Sequence, residues 1–320
     1  MPNAGDVPIF VGPEWKPGSV VGKLVATLQF TGTTGDIFAA LRVAGKLPAV
    51  GSALVMLDGW GGGGGGAGGG ISGGAAPAVG GAGGGGATRK SAQVVIDLSH
   101  TFDANIALGG NGGTGANPTG ANGNQGGETL FVDSTSGTIL VAFEGAQGGV
   151  ANFANTQNHA LTTAVRGVPG AADGALAPDL PANTTIAPAL GRASPATAPA
   201  CGGYAQALAA DTFAGSGLPN SALNSAFGGG NGGQNAVGAG TLSFAGGGGG
   251  GGPAGAGGKG GDSVGPGLSG NNGVSGGAVN PNSGAGGGGG SAASSNLGSG
   301  GQGGSGGRGF LTVSVFVIPP

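Results

Sequence analysis

The chain has 320 residues, 86 of them glycine, and sets 10 basic against 13 acidic side chains for a formal net charge of -3. Its sparse, scattered charge forms no basic stripe of the kind a nucleic-acid partner needs, no apolar stretch reaches bilayer-spanning length, and a lone Cys201 permits neither an intrachain disulfide nor a cysteine metal cluster. With 5% aromatic residues, any ordinary side-chain core must be small.

The N-terminus has no basic start followed by a long apolar run, so no secretory signal is expected. Residues 7–58 read as β-structure, with strands over Val20–Phe30 and Ile37–Val43 separated by the turn-like Thr31–Gly35. Ala53–Leu57 is a short apolar strand ending at Asp58-Gly59-Trp60, where the run Gly61–Gly66 begins. Trp60 is large enough to plug that junction, and a packing role is expected of it. Ser91–Leu98 and Phe102–Leu108 form a second strand pair around Ser99-His100-Thr101, preceded by the basic couple Arg89-Lys90, read as a solvated strand edge. Glu128–Phe143 has the form of a hairpin around Ser134–Gly137. Residues 150–226 are rich in Ala, Pro, Asn and Thr, and their proline spacing disfavours both helix and central strand. They read as a long surface loop with a short helical turn at Ala205–Asp211. The glycine pattern returns from Phe227 to Gly309, and the alternating strand Phe310–Ile318 closes the chain, placed to pair with the N-terminal sheet. Three regions follow: a β-rich attachment region (1–58), a glycine-rich body with intervening strands (59–309) and a closing strand (310–320).

Ordering a glycine run costs on the order of 1–2 kcal/mol of backbone entropy per residue, so the runs are a flexible linker, a collagen helix or a packed array of main chains. Collagen requires glycine at every third position and abundant proline; here glycines are adjacent and there are only 19 prolines. Disorder goes with low hydrophobicity and high net charge, whereas this chain is 38% hydrophobic and 7% charged, and strands bracket its glycine runs. The packed arrangement remains. Polyproline II strands have no internal hydrogen bonds, so their N–H and C=O groups point outward and pair laterally if no side chain intervenes. Gly109–Gly127, with its Asn and Thr residues, reads as a rim strand, and Gly246–Gly252 as an interior one. The expected fold is mostly β with little helix: a small antiparallel sheet or sandwich framing a bundle of glycine-rich polyproline II strands.

Chemistry is hard to find in this sequence. His100 and His159 lie in no catalytic or metal-ligand spacing, and both read as polar surface or turn residues. Asp97 and Asp103 are a close carboxylate pair, with a turn between them. No Gly-Lys is followed by Ser or Thr, so a phosphate loop is absent. No catalytic, cofactor-binding or metal-binding residue is expected, and the chain does not read as an enzyme.

The strand running into Trp60 and polyglycine (ALVMLDGWGGGGGGAGGG), the paired strands SAQVVIDLSHTFDANIALGGNGG, the repeated GGN and GGG blocks and the closing GGSGGRGFLTVSVFV resemble the glycine-rich domain of bacteriophage tail-fibre and receptor-binding adhesin proteins. The resemblance covers roughly residues 53–318. It implies a polyglycine II bundle whose loops at one end touch a host receptor, protein or glycan. It also implies residence in the virion with other tail or fibre proteins as partners, with no nucleic acid and no membrane insertion, as a homotrimer or as one copy per fibre. Aromatic residues on such loops would make the best anchors, and Phe153, Tyr204 and Phe213 are the candidates. The alternative reading is a head fibre or decoration protein without a receptor role.

Overall fold

Short runs of alternating apolar residues decide where the strands form. The computed structural model describes residues 6–8, 21–70, 81–87, 89–116, 120–151, 206–208, 243–262, 280–291 and 300–317. In chain order the elements are β1 (Asp6–Pro8), β2 (Val21–Phe30), α1 (Ala39–Val43), β3 (Ser52–Trp60), β4 (Lys90–Asp97), β5 (Phe102–Asn105), β6 (Thr129–Asp133), β7 (Thr138–Phe143), β8 (Gln206–Leu208), β9 (Ser243–Ala245) and β10 (Phe310–Val317). They build a five-stranded sheet ordered β1-β2-β10-β3-β4, a three-stranded sheet β5-β6-β7 and a pair β8-β9. All pairings are antiparallel. The expectation of a β-rich fold with little helix is met, and the closing strand lies in the middle of the larger sheet between β2 and β3.

Alternation places Ala53, Val55 and Leu57 of β3 and Leu311, Val313 and Val315 of β10 on one face of that sheet. They share one buried cluster with Phe102 and Ala104 of β5, Phe131 of β6 and Phe143 of β7, so the two sheets pack face to face. Phe102 stacks on Phe131 at 5.6 Å and meets Phe38 edge-on at 5.8 Å.

Two expectations are corrected. Ile37–Val43 is not a strand: Ala39–Val43 forms α1, with Ile37 and Phe38 buried at its start and Leu41 packed on the same cluster. That spacing fits one face of a helix, and Gly45 at φ 64° closes it in the left-handed conformation that suits glycine. The helical turn expected at Ala205–Asp211 is instead β8, whose Gln206, Ala207 and Leu208 pair with Ala245, Phe244 and Ser243 of β9. Main-chain partners that distant in sequence override local preference. The rest of 150–226 lies, beyond residue 151, outside the described residues.

The glycine segments are neither helix nor strand, and their hydrogen bonds follow a period of three. Along 61–70 the N–H groups of Gly62, Gly65 and Gly68 donate to Gly127, Asn124 and Ala121; those of Gly63, Gly66 and Gly69 donate to Gly307, Gly304 and Gly301; those of Gly64 and Ala67 donate to Gly85 and Ala82. Partner numbers fall as donor numbers rise, so these three neighbours run antiparallel. The carbonyls of the same segment receive Gly110, Gly113 and Ala116 from a second set, Ala146 and Gly149 from another, and Gly287 and Gly290 from a third. Here the numbers rise together, so these three run parallel. Segment 61–70 is thus surrounded on all sides and fully buried. Residues 246–250 are also buried, while 109–116 and 120–127, which pair antiparallel with each other, show Asn111, Thr114, Asn122, Asn124 and Gln125 to solvent.

Candidate functional site

Sandwich and glycine body are continuous. β3 leads into 61–70, β5 into 107–116 and β7 into 144–151, while 81–87 leads back into β4, 120–127 into β6 and 300–309 into β10. Five of the six neighbours of 61–70 are therefore held by a sandwich strand at one end. The sixth, 284–291, is tied differently. Asn282 donates through Nδ2 to the carbonyls of Thr31 (3.0 Å) and Gly309 (2.7 Å), and its own carbonyl accepts Trp60 Nε1 at 3.1 Å.

Trp60 sits at this junction, nearly buried, stacked on Phe310 at 4.8 Å and packed against Ala87, Ala146 and Ala254. Gly284 lies under the indole at φ 64°, and a Cβ there would come within 2.6 Å of the ring. The expected packing role of Trp60 is what the geometry shows. Arg89 and Lys90 do more than border a solvated edge: Arg89 Nε bridges both carboxylate oxygens of Asp58 at 2.8 and 2.9 Å, and Lys90 pairs with Glu144 at 3.2 Å.

At Gly61–Gly66 and at Gly68 the neighbours leave no room for a side chain, whereas the methyl of Ala67 is accommodated within the same buried segment. A Cβ on Gly62, Gly65 or Gly68 would lie closer than 3.0 Å to the main chain at Leu108, Asn111 or Thr114; on Gly63 or Gly66, to that of Ala285 or Gly288; on Gly61 or Gly64, to that of Glu144 or Gln147. Its N–H groups thus address the antiparallel neighbours and its Cα atoms the parallel ones.

The hydrogen-bond registers also fix where the chain leaves this body. Gly69 is level with Ala116 and Gly301, Ser291 with Gly301, Gly261 with Gly246, and Gly81 with Gly290 and Gly247. The exits at 70, 116, 151, 262 and 291 therefore all open at the end away from the sandwich. The connections made there lie outside the described residues, as do the anchor candidates Phe153, Tyr204 and Phe213 and also His159 and Cys201.

The other end carries a polar cluster with no legible signal in the sequence. His100 Nδ1 meets Asp133 Oδ2 at 2.7 Å, joining the β4–β5 turn to the end of β6. Asp133 Oδ1 also accepts the N–H groups of Thr135 and Ser136, which shapes the β6–β7 turn. The hydrogen bond to Asp133 holds the His100 imidazolium above the usual histidine range. Desolvation would raise Asp133, but hydrogen bonds from His100 and Ser136 outweigh it and hold the carboxyl below its usual range. Asp97 is lowered by the backbone N–H and hydroxyl of Ser99. Asp97 and Asp103 do not converge: Asp103 instead accepts Asp36 N–H at 2.9 Å and Ser134 Oγ at 3.2 Å. Among the described residues no group of three or more His, Cys, Asp or Glu is placed to hold a metal ion, and no helix is long and apolar enough to cross a membrane. No family model matches the chain, and no curated protein is similar to it.

Proposed function

We propose that this protein is a structural component of a bacteriophage virion, a tail-fibre tip or receptor-binding adhesin, in which a polyglycine II bundle carries a host-recognition surface away from a β-sandwich. One observation carries the reading: a glycine segment paired laterally to six neighbours with a period of three, in a body that the chain leaves at 70, 116, 151, 262 and 291 at the end away from the sandwich. Three residues per turn is the repeat of polyproline II, at about 3.1 Å per residue, and a main chain cross-linked in every lateral direction makes a stiff post. Connections fixed at both ends on such a post lose less freedom on binding than free loops do. The reading is of a binding protein rather than an enzyme.

The test is competition. Purified protein added to susceptible bacteria should bind the cells and lower the rate of particle adsorption, and gold-labelled antibody should decorate the tip of the tail. Label on the heads with adsorption unchanged would overturn the adhesin reading in favour of a capsid fibre or decoration protein.

A further inference from the structure

Three connections meet at the sandwich end opposite the bundle, and a single histidine touches all of them. Its imidazole Nδ1 reaches Asp133 at the start of the β6–β7 turn (2.7 Å), its own N–H donates to Asp97 O at the end of β4 (3.1 Å), and its carbonyl accepts Arg42 Nη2 from α1. Arg42 is in turn paired through Nη1 with Asp36 at 2.7 Å. Two further bonds lace the turns together, Ser134 N–H to Thr101 O and Thr101 N–H to Thr135 Oγ1, each at 2.9 Å. We propose that His100 is a proton-operated clasp, which in its charged form ties α1, the β4–β5 turn and the β6–β7 turn into one unit and on losing its proton lets the two turns loosen.

The charges facing the ring are of one sign. Asp133 on β6 is hydrogen-bonded to it and Asp97 on β4 lies near enough to act on it, while the nearby cation, Arg42 on α1, is occupied by Asp36 and by the His100 carbonyl rather than by the ring. Both carboxylates favour the imidazolium. A neutral ring keeps a donor for Asp133 but loses the charge that makes such a bond about twice as strong. Because Asp133 also organises Thr135 and Ser136, a weaker hold on its carboxylate is passed directly to the turn. Acid opens the clasp from the other side, once Asp133 itself is protonated.

The full chain contains two histidines, so the ring signals of His100 and His159 can be followed by NMR across pH 5–8.5 and separated with a His100→Gln variant. Amide exchange at Thr101, Ser134, Thr135 and Ser136, corrected for the intrinsic pH dependence, should quicken about two- to fivefold as pH rises through the His100 midpoint. His100→Gln should remove that step while the amides of 62–69 stay protected, which shows the variant to be folded. In Asp133→Asn the His100 midpoint should fall toward the ordinary value. A step that persists in His100→Gln, a flat wild-type profile across the titration, or a His100 midpoint unmoved in Asp133→Asn would each overturn the clasp.

Discussion

Replacing Gly65 with alanine puts the lateral pairing to a direct test. The added Cβ would lie 2.5 Å from the carbonyl carbon of Asn111, where ordinary contact begins at 3.4 Å. The segment 107–116 must then retreat by roughly 1 Å, because main chain on every side leaves the new methyl no other outlet. That retreat pulls on the bonds from Gly110 to Gly63 and from Gly113 to Gly66, both 2.8 Å, and takes them past useful hydrogen-bonding distance. A buried donor or acceptor left unsatisfied costs about 1–3 kcal/mol, so two broken bonds come to about 2–6 kcal/mol. This is a large share of the roughly 5–15 kcal/mol that keeps a domain folded. The control is Gly32→Ala, whose Cβ would meet nothing within 4 Å and whose effect should stay within about 0.5 kcal/mol. Denaturant titration gives the difference, and amide exchange along 62–69 locates it. A Gly65→Ala variant within 1 kcal/mol of Gly32→Ala, with those amides still protected, would refute the reasoning.

Three further outcomes follow from the same geometry. One glycine inserted after Gly63 turns every later residue of the segment toward the wrong neighbour and should abolish amide protection beyond it, whereas three inserted glycines restore the facing and should recover most of it. Asn282→Ala removes the side chain that spans Thr31 and Gly309 and should cost about 1–3 kcal/mol, read by denaturation and by faster exchange in 284–291 ahead of the strand-anchored segments. If Phe153, Tyr204 or Phe213 anchors a receptor, its alanine variant should weaken cell binding by at least about tenfold, the measure of a hot-spot aromatic, with the unfolding midpoint unchanged.

Sequence patterning revealed the sandwich strands well, because β3, β6, β7 and β10 combine apolar alternation with turn residues at their ends. It misjudged α1 because IFAALRV is apolar enough for a buried strand. The helix is decided by Phe38 entering the core and by Arg42 reaching the His100 carbonyl, neither of which is local. β8 was hidden for the same reason, since its partner β9 lies far along the chain. The glycine runs carry no information on who pairs beside whom: a homopolymer offers no side-chain code for register, and the fixed points are the strands at the segment ends and Asn282. The His100–Asp133 pair could not be read at all, because only the β5-β6 pairing brings those residues together.

Each of the exits at 70, 116 and 291 is matched by a return, at 81, 120 and 300, that is seated by its own strand in the sandwich. Because each return has its own seat, a change in chain length between 70 and 81, 116 and 120 or 291 and 300 is expected to leave the footing of the next segment in place.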